Sequence, residues 1–144
     1  MTAGSHEQTI NTALAEVLGT LTHSWSTRAE LVGKVLEDGG RPDILIEEPG
    51  GWPTVVEAEV GNHRQAEKDA EARLGRTVVH SGRTIDAAVA LVYPENLRHC
   101  DGGALRNAIR SAVFEYVVLT RDADGATARF PVAGWLRGGV KELT

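Results

Sequence analysis

The 144-residue chain has a single cysteine, Cys100. That excludes an internal disulfide, speaks against a zinc site built on thiolates, and makes a reducing, cytoplasmic setting the expectation. The surrounding Arg98-His99-Cys100-Asp101-Gly102 reads as a polar loop, so an ordinary surface or half-buried thiol is expected there. No apolar run reaches the roughly 18–20 residues of a membrane-spanning helix. Met1-Thr2-Ala3-Gly4-Ser5-His6 lacks the basic-then-apolar order of a signal peptide, and no membrane partner is expected. Repeats, low-complexity tracts and linkers are missing too, which predicts one domain over residues 1–144, long enough to bury a core without covalent staples. No glycine-rich phosphate loop follows a strand, which disfavours a doubly wound dinucleotide fold.

An excess of positive charge is also lacking. The net charge of −5 argues against a generic nucleic-acid coat. The balance is uneven, however. Residues 1–61 carry ten acids and three bases, or −7, and residues 62–144 carry ten acids and twelve bases, or +2. An acidic centre beside more basic flanks would show this pattern, and so would two unequal solvated faces.

Ser5 with Gln8 resembles a capping box, and Ile10, Leu14, Val17, Leu18 and Leu21 follow at helical spacing, predicting a helix over about 5–21. Residues 24–38 fit a short helix or a strand with a turn, closed by Gly39-Gly40. The run Arg41-Pro42-Asp43-Ile44-Leu45-Ile46-Glu47 reads as a strand opened by proline, residues 49–53 as a turn, and residues 54–60 as a second strand rich in β-branched residues. Asn62 is placed to cap a helix over about 63–75 that ends at Gly75. Ile85–Tyr93 reads as a buried strand halted by Pro94, residues 103–111 as a helix, Ala112–Thr120 as a strand, and residues 122–125 as a turn into 127–130. Helices mixed with both hairpin and crossover-linked strands predict an α/β fold with a mixed β-sheet core flanked by helices.

The chemistry-bearing stretch is residues 41–60. A turn centred near Gly50 makes opposed positions sum to about 100, so Asp43 faces Glu57 across an antiparallel pair. Glu59, two residues on, shares that face, while Ile44, Ile46, Val56, Ala58 and Val60 point to the other. Like charges opposed across strands destabilise the pair. Solvent, raised pKa values or a bound cation must offset the repulsion, and a hard divalent ion prefers such oxygen ligands. A hairpin with acids on its solvent face would produce the same pattern.

These residues resemble the PD-(D/E)XK nuclease superfamily, the restriction-endonuclease-like group that includes restriction enzymes, junction resolvases and repair nucleases. Pro42-Asp43 is similar to its first motif and Glu57-Ala58-Glu59 to its second, with thirteen residues between Asp43 and Glu57 and with Glu59 where a lysine usually stands. The order of elements over roughly residues 5–120 is similar as well. The resemblance implies a Mg²⁺- or Mn²⁺-dependent DNA endonuclease acting in restriction or phage defence, with Asp43, Glu57 and the Ala58 carbonyl as metal ligands. The acidic residue that the family often adds from its first helix falls best on Glu7, which continues the stripe of Ile10, Leu14, Val17 and Leu21. A helix-dipole role explains Glu7 equally. Glu59 could accept a proton or bind a second metal, Lys68 could supply the missing positive charge, or activity could be lost, leaving a DNA- or partner-binding module. Gln65 and Lys68 are the further catalytic candidates, and Arg41, Arg64, Arg73 and Arg76 the candidate DNA-backbone contacts, although solvated charge explains any single one of these. His63 reads as solvated, and the other histidines show no ligand spacing. A short chain without a specificity domain implies a homodimer or additional domains or subunits.

Overall fold

The computed structural model describes residues 3–21, 26–47, 53–112 and 114–120. The expected turn at 122–125 and the segment 127–130 lie outside these residues, and the expected turn at 49–53 lies mostly outside them.

Helix α1 (Ala3–Leu21) is followed by strand β1 (Ser26–Ala29), which resolves the ambiguity over residues 24–38 in favour of a strand followed by loop. Strands β2 (Ile44–Glu47) and β3 (Pro53–Val60) come next, then helix α2 (His63–Arg73) and strand β4 (Ala87–Tyr93). A 3₁₀ turn (Glu95–His99), helix α3 (Gly102–Ser111) and strand β5 (Glu115–Thr120) complete the order. The strands form one five-stranded sheet in sequential order, antiparallel except for the parallel β3–β4 pair. The protein is thus an α/β fold with a mixed sheet and, among the described residues, three α-helices. No helix among these residues is long and apolar enough to cross a membrane.

Both sheet faces are covered. On one, Ile10, Leu14, Val17 and Leu18 of α1 and Leu105 and Ile109 of α3 pack on Ile44, Ile46, Val56, Ala58, Val89 and Leu91. On the other, Ala66 and Ala70 of α2 pack on Leu45, Val55, Ala88 and Ala90, beside Leu36, Val78 and Ile85 from the flanking loops. All seven residues of β4 are buried, which is why its sequence is a continuous apolar run without alternation. The Asn62 side chain accepts from the Gln65 N–H at 3.0 Å and starts α2. The helix ends at Arg73, and Gly75 takes the positive φ of 80° that follows. Cys100 is half-buried against the first core, its thiol directed at the Asn96 carbonyl.

Candidate metal centre

The hairpin register is Ile44 opposite Val56 and Leu45 opposite Val55. Continued one residue outward, it sets Asp43 against Glu57. The apolar residues that alternate with the acids enter the α1 core, so the acids face α2. That face is not open solvent. Glu57 is 2% exposed, and Asp43 and Glu59 are half-buried. The exposed-hairpin alternative therefore does not describe this protein.

Asp43 and Glu57 grip each other's strands. The Asp43 N–H donates to Glu57 Oε2 at 2.9 Å, and the Ala58 N–H donates to Asp43 Oδ2 at 2.8 Å. Asp43 lies just before β2, where the ladder has ended and its N–H needs a side-chain acceptor. The opposite oxygen of Glu57, Oε1, accepts from Arg73 Nε at 3.3 Å.

Glu59 lies further along the same face. Glu7 reaches it from the first turns of α1: its carboxylate accepts the Val60 N–H at 3.4 Å, and the two carboxyl groups meet in a hydrogen bond. From α2, Gln65 donates to Asp69 Oδ1 at 2.7 Å, and the field of Asp69 acts on Asp43, Glu57 and Glu59.

Burial dominates the proton affinities. It raises Glu57 to about 8, assisted by Asp43 and opposed by the Asp43 N–H and by Arg73. Burial raises Asp43 to about 6 against the stabilising Ala58 N–H, and it raises Glu59 to about 7, with Glu7 the next contributor. Beneath the site, Tyr93 donates to Asn11 Oδ1 at 2.8 Å, Asn11 donates to Glu30 Oε1 at 2.9 Å, and the Glu30 N–H donates to the Asp43 carbonyl at 3.0 Å. Glu30 adopts φ 51°, the one non-glycine positive φ among the described residues. A left-handed glutamate is uncommon, and here it aims the amide at Asp43. Burial and the charges of Asp43, Glu30 and Glu7 push the Tyr93 hydroxyl well above its usual pKa.

The structure therefore brings together Glu7, Asp43, Glu57, Ala58, Glu59, Gln65 and Arg73. Lys68 and Arg64 stand exposed on α2. Arg76 pairs with Asp38 at 3.3 Å. The exposed Arg41 gives its carbonyl to Arg73 Nη2 at 3.2 Å, and it lines a cleft of about 900 Å³ with Gln8, Thr12, Glu30, Pro42 and Arg106. His63 pairs with Glu115 and His80 with Glu47 at the surface. The sequence reading gave Asp69 no role and placed Arg73 among the candidate DNA-backbone contacts. The signal was the four-residue spacing of 65, 69 and 73, which puts all three on one helix edge. Glu30, in a segment without periodicity, gave no signal.

The donor chemistry suits a hard divalent ion: carboxylates, a nearby main-chain carbonyl, and more negative charge than the local cation balances. A finished ligand cage is another matter. Among the described residues no three Asp, Glu, His or Cys side chains converge closely enough to hold a metal ion as they stand. Searched against protein-family models, curated proteins and solved structures, the chain matches none.

Proposed function

We propose that this chain is a divalent-metal-dependent phosphodiester hydrolase of the restriction-endonuclease-like, PD-(D/E)XK type, acting on DNA. The observation that carries the reading is the reciprocal Asp43–Glu57 pair, held under α2 with Glu59 on the same sheet face and Glu7 arriving from α1. Acids so buried and so close are costly to keep unless a cation is bound.

Asp43, Glu57 and the Ala58 carbonyl would hold Mg²⁺ or Mn²⁺, which supplies Lewis-acid polarisation of a phosphoryl oxygen and a more acidic attacking water. The residues of the chain do the rest. The Asp43 and Ala58 amides fix the orientation of the two carboxylates. Glu59, with its proton affinity near neutrality, can take up a proton at its carboxylate. Arg41 and Arg106 border the cleft between α1, α3 and the Arg41-Pro42 segment that leads to Asp43, where a nucleic-acid backbone would run.

A second reading, a nuclease-like module that binds DNA or a partner without cutting, is favoured by Glu59 standing where the motif has lysine. Cleavage of plasmid and branched DNA with Mg²⁺ or Mn²⁺ separates the two. Wild type is expected to cut, and Asp43→Ala and Glu57→Ala to lose at least 100-fold in rate, about 2.7 kcal/mol in transition-state stabilisation. Undiminished cutting by both variants would sink the site. Metal binding without any cutting by wild type selects the second reading. A role in restriction or phage defence, and a homodimer or larger assembly, belong to the same proposal.

A further inference from the structure

Glu57 has two carboxylate oxygens, and both are occupied. Oε2 takes the Asp43 N–H and Oε1 takes Arg73 Nε. Arg73 is also the cation whose field acts on both Asp43 and Glu57. Three contacts set its guanidinium in place. Nε faces Glu57 at 3.3 Å, Nη2 donates to the Arg41 carbonyl at 3.2 Å, and the Nη1 end lies against Gly40, where an added Cβ would come within 2.4 Å of it. The absence of a side chain at Gly40 is what leaves room for the guanidinium. The Arg73 side chain is 21% exposed, against 3% for Glu57, so the cation stands between the buried carboxylate and solvent.

We propose that Arg73 is the resident counter-cation of the metal-free site, and that a divalent ion binds Glu57 by displacing it. This rests on the metal-site reading above. A second cation on the same carboxylate would stand beside the guanidinium, and like charges repel strongly where little water screens them. The long arginine side chain leaves the last turn of α2 and already touches solvent, so it can swing away without moving the helix. In the metal-free arrangement Glu57 Oε1 is turned to Arg73, so a metal that used this oxygen would have to take the guanidinium's place. The sequence's departure from the motif lysine therefore leaves the site with a cation of another kind, one that guards the ligand instead of accompanying the metal.

Two readouts on the full chain test this. Mg²⁺ is titrated by calorimetry at pH 9, where the site carboxyls are ionised, into wild type, Arg73→Gln and Gly40→Ala. Gly40 has no positive φ, so alanine is tolerated by the backbone while its Cβ crowds the guanidinium. This variant keeps the test alive if Arg73→Gln fails to fold. Both variants are expected to bind Mg²⁺ about tenfold more tightly than wild type, the scale of coupling between contacting groups. In wild type, the Arg73 Nε resonance, read by carbon-detected NMR and assigned by its loss in Arg73→Gln, is expected to move toward the free-arginine position as Mg²⁺ saturates. If wild type binds Mg²⁺ with that resonance unmoved, or the folded variants bind no more tightly, the displacement model is overturned and the metal site survives. If none of the three binds Mg²⁺, the metal-site reading falls and this inference falls with it.

Discussion

At residue scale, Glu57 combines near-complete burial with an adjacent carboxylate, and its proton affinity rises from 4.5 to about 8. A pKa raised in the fold means stability that is fully present below about 4.5 and is lost as pH climbs through about 8, because the unfolded chain ionises first. Comparing metal-free wild type with Glu57→Gln isolates this residue from the other acids. The advantage of Glu57→Gln in urea unfolding is expected to grow between pH 4.5 and 8 and to level off above; a pH-independent difference would refute the buried charge. Glutamine can still accept the Asp43 N–H, whereas Glu57→Ala leaves that donor unmet and opens a void. Glu57→Ala is therefore expected to be about 2–3 kcal/mol less stable than Glu57→Gln at pH 7.

At the scale of elements, α2 acts as the roof of the site. Ala66 and Ala70 are fully buried on Ala88, Ala90 and Val55, and these small side chains let the helix lie close to the sheet. That closeness brings Gln65, Asp69 and Arg73 over the acids. Ala70→Leu is expected to lose about 1–3 kcal/mol through overpacking and to lift this edge, so that the Arg73 Nε resonance of the metal-free protein moves toward free arginine. An unchanged resonance with intact stability would show that the helix position does not depend on that alanine. Asn62→Ala, which removes the cap on Gln65 N–H, is expected to cost about 1 kcal/mol, with amide exchange accelerated first in residues 63–66.

For the whole molecule, β4 links the two cores: Val89 and Leu91 face α1 and α3, while Ala88 and Ala90 face α2. Leu91 is fully buried, and Leu91→Ala is expected to cost about 2–5 kcal/mol in denaturant unfolding. Because strand and helix packing share this centre, loss in both cores should appear as one transition. Metal binding also acts at this scale. Mg²⁺ at a hundredfold excess over its dissociation constant is expected to add about 2.7 kcal/mol. At one fixed Mg²⁺ concentration the gain is larger at pH 8.5 than at pH 5.5, where Glu57 and Glu59 hold protons that the ion must displace. Equal melting-temperature shifts at the two pH values would contradict the site.

The sequence by itself determined the hairpin register, because alternation has a period of two and a one-residue slip would have turned Ile44, Ile46, Val56 and Ala58 out of the core. It also determined α1, the Asn62-capped α2 and the buried run of β4, each written in local periodicity or turn chemistry. Strand β1 stayed ambiguous because four half-exposed residues carry too little pattern to exclude a helix. Only the tertiary structure decided that the acid face is roofed by α2, that Glu30 braces the Asp43 carbonyl, and that Arg73 faces inward onto Glu57. Those placements come from how layers stack and how long side chains bend back across sequence gaps, information that no local spacing holds. The acids at 43, 57 and 59 were legible in the sequence. Their burial, and the cation that faces Glu57, were not.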